Sequence, residues 1–219
     1  TGLHLNTYYT RIADVGLAYL ADGIRTLTQL KNLSFHCFST EMTSNGFEHF
    51  INQLHPLSEL KALNLEIEGL YNTISPFGAL KNLILHIKEL ERLDLFVAES
   101  FLSDLVFDHF QQAAKALTSL KSLRFAIMDF QDMNDQAFVS LKGFIEDLKA
   151  LESLDLLFDS CLFGDKGVKY LSRAIESLKR LRKLKLCLTA VDTTYKGLEY
   201  LKEALFSLKV LRQLKIMIY

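Results

Sequence analysis

A leucine pattern that recurs at a nearly fixed interval runs through the whole chain. The motif Leu-x-x-Leu-x-(Leu/Phe/Ile) occurs seven times in full, and Leu3/Leu5 supplies a partial first copy. The full copies end at Leu33/Phe35, Leu63/Leu65, Leu93/Leu95, Leu123/Phe125, Leu154/Leu156, Leu184/Leu186 and Leu214/Ile216. Successive first leucines lie about 30 residues apart, and only the step from Leu123 to Leu154 is one residue longer than the others. A high leucine content cannot produce a fixed period, so each copy predicts one structural unit stacked on the next.

Within each copy the apolar spacing changes from two residues to about 3.6. Leu63, Leu65 and Ile67 alternate with polar residues, which predicts a strand with one buried face. In the helical part, apolar residues recur at steps of three and four, as in Phe138, Leu141, Ile145 and Leu148. The chain is therefore predicted to alternate about eight strands with seven helices.

Polar residues mark the expected helix starts. Most copies carry a residue of the N-cap type nineteen positions before the strand leucine: Asp14, Ser44, Asp104, Asp135 and Asp165. The side-chain oxygen of such a residue accepts from the free N–H groups of the first helical turn. The third full copy shifts this residue by one position to Ser75, and Pro76 follows it; proline is tolerated at a helix start because no N–H is needed there.

These features resemble the leucine-rich repeat, and the helix in every full copy is similar to the long, ribonuclease-inhibitor-like subclass. The resemblance covers the chain from Leu3 to Ile218. It implies a single α/β domain over 1–219, a curved solenoid or horseshoe with a parallel sheet on the concave side and helices on the convex side. The Asn or Cys that usually follows the strand is absent. The extra residue of the longer copy is expected in the loop AIMDFQDMND, 126–135.

Composition excludes several classes of protein. The chain has 219 residues, is 49% hydrophobic and has a formal net charge of −1, so the whole molecule is not expected to bind a polyanion. No apolar run approaches the length of a membrane span. Three scattered cysteines without CxxC spacing fit a reducing, cytoplasmic compartment. Because the chain starts at Thr1 and stops in the apolar stretch LKIMIY, we expect it to be a segment of a longer protein.

The two parts of the chain carry opposite charge. Residues 166–219 hold 13 Lys or Arg against 4 Asp or Glu, whereas 1–165 hold 12 against 22. In the basic stretch SLKRLRKLKLCL, 177–188, the leucines are predicted to face the core and the cations to face solvent. The gradient can steer a charged partner, and it leaves nucleic acid as a less favoured partner of the basic C-terminal end.

Outward-facing strand residues on the concave side are the predicted contact surface. The second outward position becomes apolar from Phe96 onward, and an apolar strip beside charges is typical of a binding site. The predicted partner-binding residues are Asn64, Glu66, Asp94, Phe96, Arg124, Asp155, Leu157, Lys183, Lys185, Lys215 and Met217.

Catalytic and cofactor motifs are missing from the sequence. It contains no GxSxG, HExxH, GxGxxG or P-loop pattern, so no enzyme activity, cofactor or metal is predicted. Register allows His4 and His36 to approach each other on adjacent strands, but separate surface histidines are the preferred interpretation. The preferred interpretation is a non-enzymatic protein-protein interaction module that binds on its concave face. Two alternatives are a structural subunit held through the solenoid ends and a regulatory or adaptor part of an enzyme system, of the GTPase-activating or ubiquitin-ligase type.

Overall fold

Strands and helices alternate along the chain in the computed structural model, which describes residues 1–37, 41–69, 75–98, 105–128, 135–161, 163–189 and 191–219. The strands are β1 (Gly2–Asn6), β2 (Asn32–Cys37), β3 (Ala62–Glu68), β4 (Arg92–Ala98), β5 (Ser122–Met128), β6 (Ser153–Asp159), β7 (Lys183–Thr189) and β8 (Gln213–Ile218). The helices are α1 (Asp14–Ile24), α2 (Ser44–Gln53), α3 (Ser75–His86), α4 (Leu105–Ala114), α5 (Asp135–Asp147), α6 (Asp165–Glu176) and α7 (Tyr195–Ser207). None of these described helices is long and apolar enough to cross a membrane.

All eight strands form one parallel sheet in the order of the sequence. The leucines define its register: Leu33 pairs with Leu63, and Leu63 pairs with Leu93. The longer copy keeps this register, since Leu123 pairs with Leu154. Most of the loop predicted to hold its extra residue, 129–134, lies outside the described residues. The predicted strands and helices, and their alternation, are confirmed.

The core lies between the sheet and the helices. From β2 to β7 the strand leucines and most of the helical stripes are almost fully buried, and phenylalanines fill the space between the two layers, whereas Leu214 on the terminal strand β8 is 51% exposed. The ring centroids of Phe35 and Phe50 are 4.5 Å apart, and those of Phe110 and Phe125 are 5.5 Å apart. The third apolar strand position is buried as well, as at Ile67. Each repeat thus buries its apolar residues partly against its neighbours.

Spacing explains the curvature of the solenoid. Neighbouring parallel strands lie about 4.8 Å apart, whereas packed helices need roughly 8 to 10 Å. The helical layer is therefore the longer one, and the sheet lines the concave side. The open, curved α/β solenoid predicted from the repeat is the observed fold.

The predicted helix caps were wrong by one position. α1, α2 and α6 begin at Asp14, Ser44 and Asp165, and the N-cap residues are Ala13, Thr43 and Gly164. Of the three caps, only Thr43 accepts a hydrogen bond with its side chain, from the N–H of Gly46. Asp104 and the side chain of Asp135 lie outside the described residues.

The two aspartates instead stabilise the start of the next helix along the solenoid. Asp14 accepts from the backbone N–H of Thr43 at 2.7 Å and from its hydroxyl at 2.6 Å. Asp165 accepts in the same way from Thr194, at 2.7 Å from both groups, and from the N–H of Gly197 at 3.0 Å. Hydrogen bonds from Thr194 hold the pKa of Asp165 below its ordinary value.

These bridges require a glycine in the first turn of the receiving helix. A Cβ on Gly46 would occupy the space of the Asp14 carboxylate, and a Cβ on Gly197 would collide with Thr193 Oγ1 and approach Asp165 Oδ1. Gly23 in α1 has no such neighbour, because no atom lies within 4 Å of a Cβ built there. The chain thus offers a matched pair of helical glycines.

We expect Gly46→Ala to lower the free energy of unfolding by roughly 1–3 kcal/mol, because the new methyl group displaces the carboxylate that bridges the two helices. Gly23→Ala should raise it by about 0.5–1 kcal/mol through helix propensity alone. Urea denaturation followed by circular dichroism measures both. Equal effects of the two substitutions would show that the bridge contributes nothing.

Candidate functional site

Outward-facing strand residues form two rows across the concave sheet. Row 1 contains His4, Ser34, Asn64, Asp94, Arg124, Asp155, Lys185 and Lys215, each paired in register with the next. Row 2 contains Asn6, His36, Glu66, Phe96, Ala126, Leu157, Cys187 and Met217. Ten of the eleven predicted contact residues therefore lie on one continuous surface in these rows. The eleventh, Lys183, precedes Lys185 by two residues on β7 and faces the same side.

Row 1 is partly neutralised within the molecule. Asp155 Oδ2 lies 3.1 Å from Lys185 Nζ and 4.0 Å from Arg124 Nε, so one carboxylate serves two cations. Lys183 and Lys215 are exposed, and neither forms an ion pair with any residue that the structure describes. These two lysines are therefore exposed cations without an ion-pair partner among the described residues of the C-terminal half of the concave face.

Row 2 forms a shallow apolar strip over its last five members, from Phe96 to Met217. Ala126 and Cys187 are buried, with exposed fractions of 0% and 7%, whereas Phe96, Leu157 and Met217 stay partly exposed. Small residues thus alternate with larger ones along the strip. Leu157 and Met217 lie beside the lysines of β7 and β8, whereas Phe96 on β4 lies beside Asp94.

The N-terminal end of the rows holds a hydrogen-bonded group that we call the His36 network. His36 Nε2 lies 2.9 Å from Ser34 Oγ and 3.0 Å from Asn64 Nδ2, and Nδ1 lies 3.5 Å from Glu66 Oε2. The Tyr8 hydroxyl donates to the same oxygen of Glu66. Four side chains therefore fix the orientation of one imidazole ring.

Burial and neighbouring charges shift two pKa values in this network. Burial, reinforced by the hydrogen bond to Glu66, raises the pKa of Tyr8 to about 12. Burial lowers the pKa of His36. The Glu66 carboxylate opposes that shift, and His4, whose ring centroid lies 4.7 Å away, adds to it. The two rings therefore contact each other, and the preferred interpretation of separate surface histidines was wrong for this pair.

Beside the network lies an open depression of about 350 Å³, lined among others by His4, Ser34, Asn64, Arg92 and Asp94. Burial raises the pKa of Asp94, although Arg92 and Arg124 oppose the rise. Ser34, His36 and Tyr8 were not among the predicted contact residues. The outward register of Ser34 and His36 was a usable signal, but nothing in the sequence places Tyr8 over Glu66.

Ser34, His36 and Glu66 stand in the order of a nucleophile, a base and the group that orients the base. Acyl transfer also needs donors for a developing oxyanion. β2 is hydrogen-bonded to strands on both sides, so its backbone N–H groups belong to the sheet. Asn64, a side-chain donor near Ser34, already contacts both Ser34 and His36. In this structure the three side chains form part of one polar cluster with Asn64.

No group of three or more His, Cys, Asp or Glu side chains within the described ranges could hold a metal ion. Cys37, Cys161 and Cys187 are buried and remain thiols. The described part of the concave face presents charged, polar and apolar side chains.

No protein-family model and no curated protein sequence matches this chain. Among solved structures it is similar to an internalin from Listeria monocytogenes, with a TM-score of 0.43 and 14% sequence identity. That alignment covers 96% of this chain and 66% of the internalin chain, so this chain spans about two thirds of the length of that protein. The periodic leucine pattern lies on parallel strands, and a helix follows each of the first seven, an arrangement that resembles the leucine-rich repeat. The ribonuclease-inhibitor-like subclass stays a prediction.

We expect His36 to titrate below its ordinary pKa of 6.5 in the folded chain. Glu66→Gln should lower this pKa further, because the opposing carboxylate is lost, and His4→Gln should raise it. NMR titration of the imidazole C–H signals measures all three. Because the folded-state pKa lies below the unfolded one, the stability from neutral His36 is complete above pH 6.5 and is lost as the pH falls through the folded value.

Opposite movement of the two variants is the decisive outcome. If both substitutions moved the His36 pKa in the same direction, or if wild-type His36 titrated above 6.5, the electrostatic description of the network would be wrong.

Proposed function

We propose that this chain is a non-enzymatic protein-interaction module that binds a protein partner on its concave face. The observation that carries the proposal is the apolar strip from Phe96 to Met217, beside two lysines that lack an ion-pair partner in the described part of the chain, Lys183 and Lys215. Partly exposed apolar side chains bordered by charge are the usual composition of a binding surface.

The sheet favours this use because its shape does not depend on its outward residues. The inward leucines and phenylalanines hold the strands in register, so the two rows are presented as a preformed surface. A preformed surface loses little conformational entropy when a partner binds, and more of the contact energy then appears as affinity.

The predicted contact residues have different roles in this proposal. Phe96, Leu157 and Met217 are the apolar anchors, which carry most of the binding energy in typical interfaces. Lys183 and Lys215 provide charge at the border, where charges mainly control orientation and association rate. The remaining members orient the partner along the arc: Asn64, Glu66, Asp94, Arg124, Asp155 and Lys185.

The other interpretations stay open as alternatives. These are a structural subunit held through the ends of the solenoid, and a regulatory or adaptor part of an enzyme system. Nucleic acid is the less favoured partner of the basic C-terminal end, and a cytoplasmic location remains part of the proposal.

Leu157→Lys should abolish retention of a protein partner, because it places a charge in the middle of the apolar strip. The control is Val139→Lys on α5, since Val139 is 38% exposed and lies in the helical layer. The wild-type chain and both variants serve as baits in native extract, at about 0.15 M and 0.5 M salt, with mass spectrometry of the retained proteins.

A partner retained by the wild type and Val139→Lys at both salt concentrations, but lost with Leu157→Lys, is the expected result. Equal retention by all three baits would move the contact away from the concave face. Recovery of nucleic acid alone, and only at low salt, would replace the protein partner with a polyanion.

A further inference from the structure

The spacing of the apolar strip indicates the conformation of its partner. Its five positions belong to five consecutive strands, β4 to β8, so neighbouring positions lie about 4.8 Å apart. One turn of an α-helix advances about 5.4 Å. Alternate residues of an extended chain are about 6.6 Å apart. Such a chain lying across the strands would lose register with the strip positions after one or two contacts. A helix lying across the strands can therefore place one apolar side chain per turn on the strip.

The length of the strip sets the length of that helix. Four strand intervals span about 19 Å, which corresponds to about 13 helical residues at roughly 1.5 Å each. Apolar residues at positions i, i+4, i+7 and i+11 would contact the strip. The buried Ala126 and Cys187 leave low points between Phe96, Leu157 and Met217, where side chains of the helix can insert.

Charge determines what borders the apolar face of the partner helix. Row 1 runs beside the strip. On β7 and β8 it contributes Lys185 and Lys215, and Lys183 lies two residues before Lys185 on β7. Lys185 already pairs with Asp155, whereas Lys183 and Lys215 have no ion-pair partner among the described residues. A helix with Asp or Glu along that flank would supply the missing anions.

Resting on the proposed function, we propose that the concave face binds an acidic amphipathic α-helix that lies across strands β4 to β8. Its apolar side contacts Phe96, Leu157 and Met217, and its acidic flank contacts Lys183 and Lys215. The strip also favours this occupant over nucleic acid, because bases stack on aromatic rings and Phe96 is the one aromatic residue among the five strip positions.

The test uses two synthetic helical peptides, each long enough to cover the strip with a spare turn, with leucine at i, i+4, i+7 and i+11. One carries four glutamates on a single flank, and the other carries four lysines at the same positions. Binding to the complete chain is measured by isothermal titration calorimetry at about 0.15 M salt. We expect the glutamate peptide to bind at least about ten-fold more tightly than the lysine peptide.

Two pairs of variants locate the contact. Lys183→Glu combined with Lys215→Glu should reverse the preference between the peptides. Lys179→Glu combined with Lys209→Glu makes the same charge change in the turns that follow α6 and α7, and should leave the preference unchanged. Leu157→Lys should lower the affinity for the glutamate peptide at least about ten-fold, whereas Val139→Lys should leave this affinity unchanged.

Each contrary result has a definite meaning. Equal affinity for both peptides, or a glutamate peptide that is insensitive to Leu157→Lys, overturns the inference. If neither peptide binds, but Leu157→Lys still abolishes retention of the natural protein partner, the inference of a helical partner is wrong and the proposed function stands. A single-stranded DNA oligonucleotide that binds more tightly than the glutamate peptide, and is lost on Lys183→Glu, would assign the surface to nucleic acid.

Discussion

Burial of each repeat against its neighbours is the constraint on which the rest of the structure depends. One strand and one helix cannot enclose the apolar residues that a single repeat contains, so Leu63 needs the repeats on both sides. The parallel ladder then imposes the register, because Leu33, Leu63 and Leu93 must lie side by side. Register in turn decides which polar side chains meet. The polar contacts of this molecule therefore run mainly between repeats.

Both kinds of polar bridge in the solenoid follow from this register. On the helical side, Asp14 and Asp165 cross to the start of the next helix. At the entry to the strands, Glu91 lies 3.4 Å from Lys61 and 2.9 Å from Lys121, one repeat away on either side. Exposed ion pairs of this kind contribute little stability. They matter because they pair charged side chains that, from the sequence alone, would be counted as free to bind a partner.

The repeat made the fold predictable, because period, strand register and helical stripe all appear in the spacing of leucine and phenylalanine. The predicted cap residues of α1, α2 and α6 lie one position after the observed caps. A carboxylate satisfies N–H groups equally well in its own helix or in the next, and spacing cannot distinguish the two. The glycine at position 46 was the missed signal, since its missing side chain leaves room for Asp14.

The candidate site was predictable only as far as register determines it. Alternation identified the outward rows, including Phe96, Leu157 and Met217, because it depends on backbone geometry alone. The His36 network depends on side-chain directions and on Tyr8, which lies outside the strands and reaches Glu66 across 58 residues of sequence. No periodic pattern encodes such a contact. The sequence likewise does not show which lysines form ion pairs within the molecule. The distances around Asp155 identify Lys185 as a paired one.

Local pairing also changes the meaning of the charge gradient along the chain. Lys185 pairs with Asp155 at 3.1 Å and Arg182 lies 3.7 Å from Glu152, so the basic segment is partly neutralised by the acidic one. Lys183 and Lys215 lie on adjacent strands and within about one Debye length of each other at physiological salt, so they act together on a partner. The acidic residues of β3 and β4 are three or more strands away from β7, at least about 14 Å, and are largely screened from both lysines. In the proposed function, charge therefore orients a partner along the arc, while the apolar strip supplies the affinity that persists at high salt.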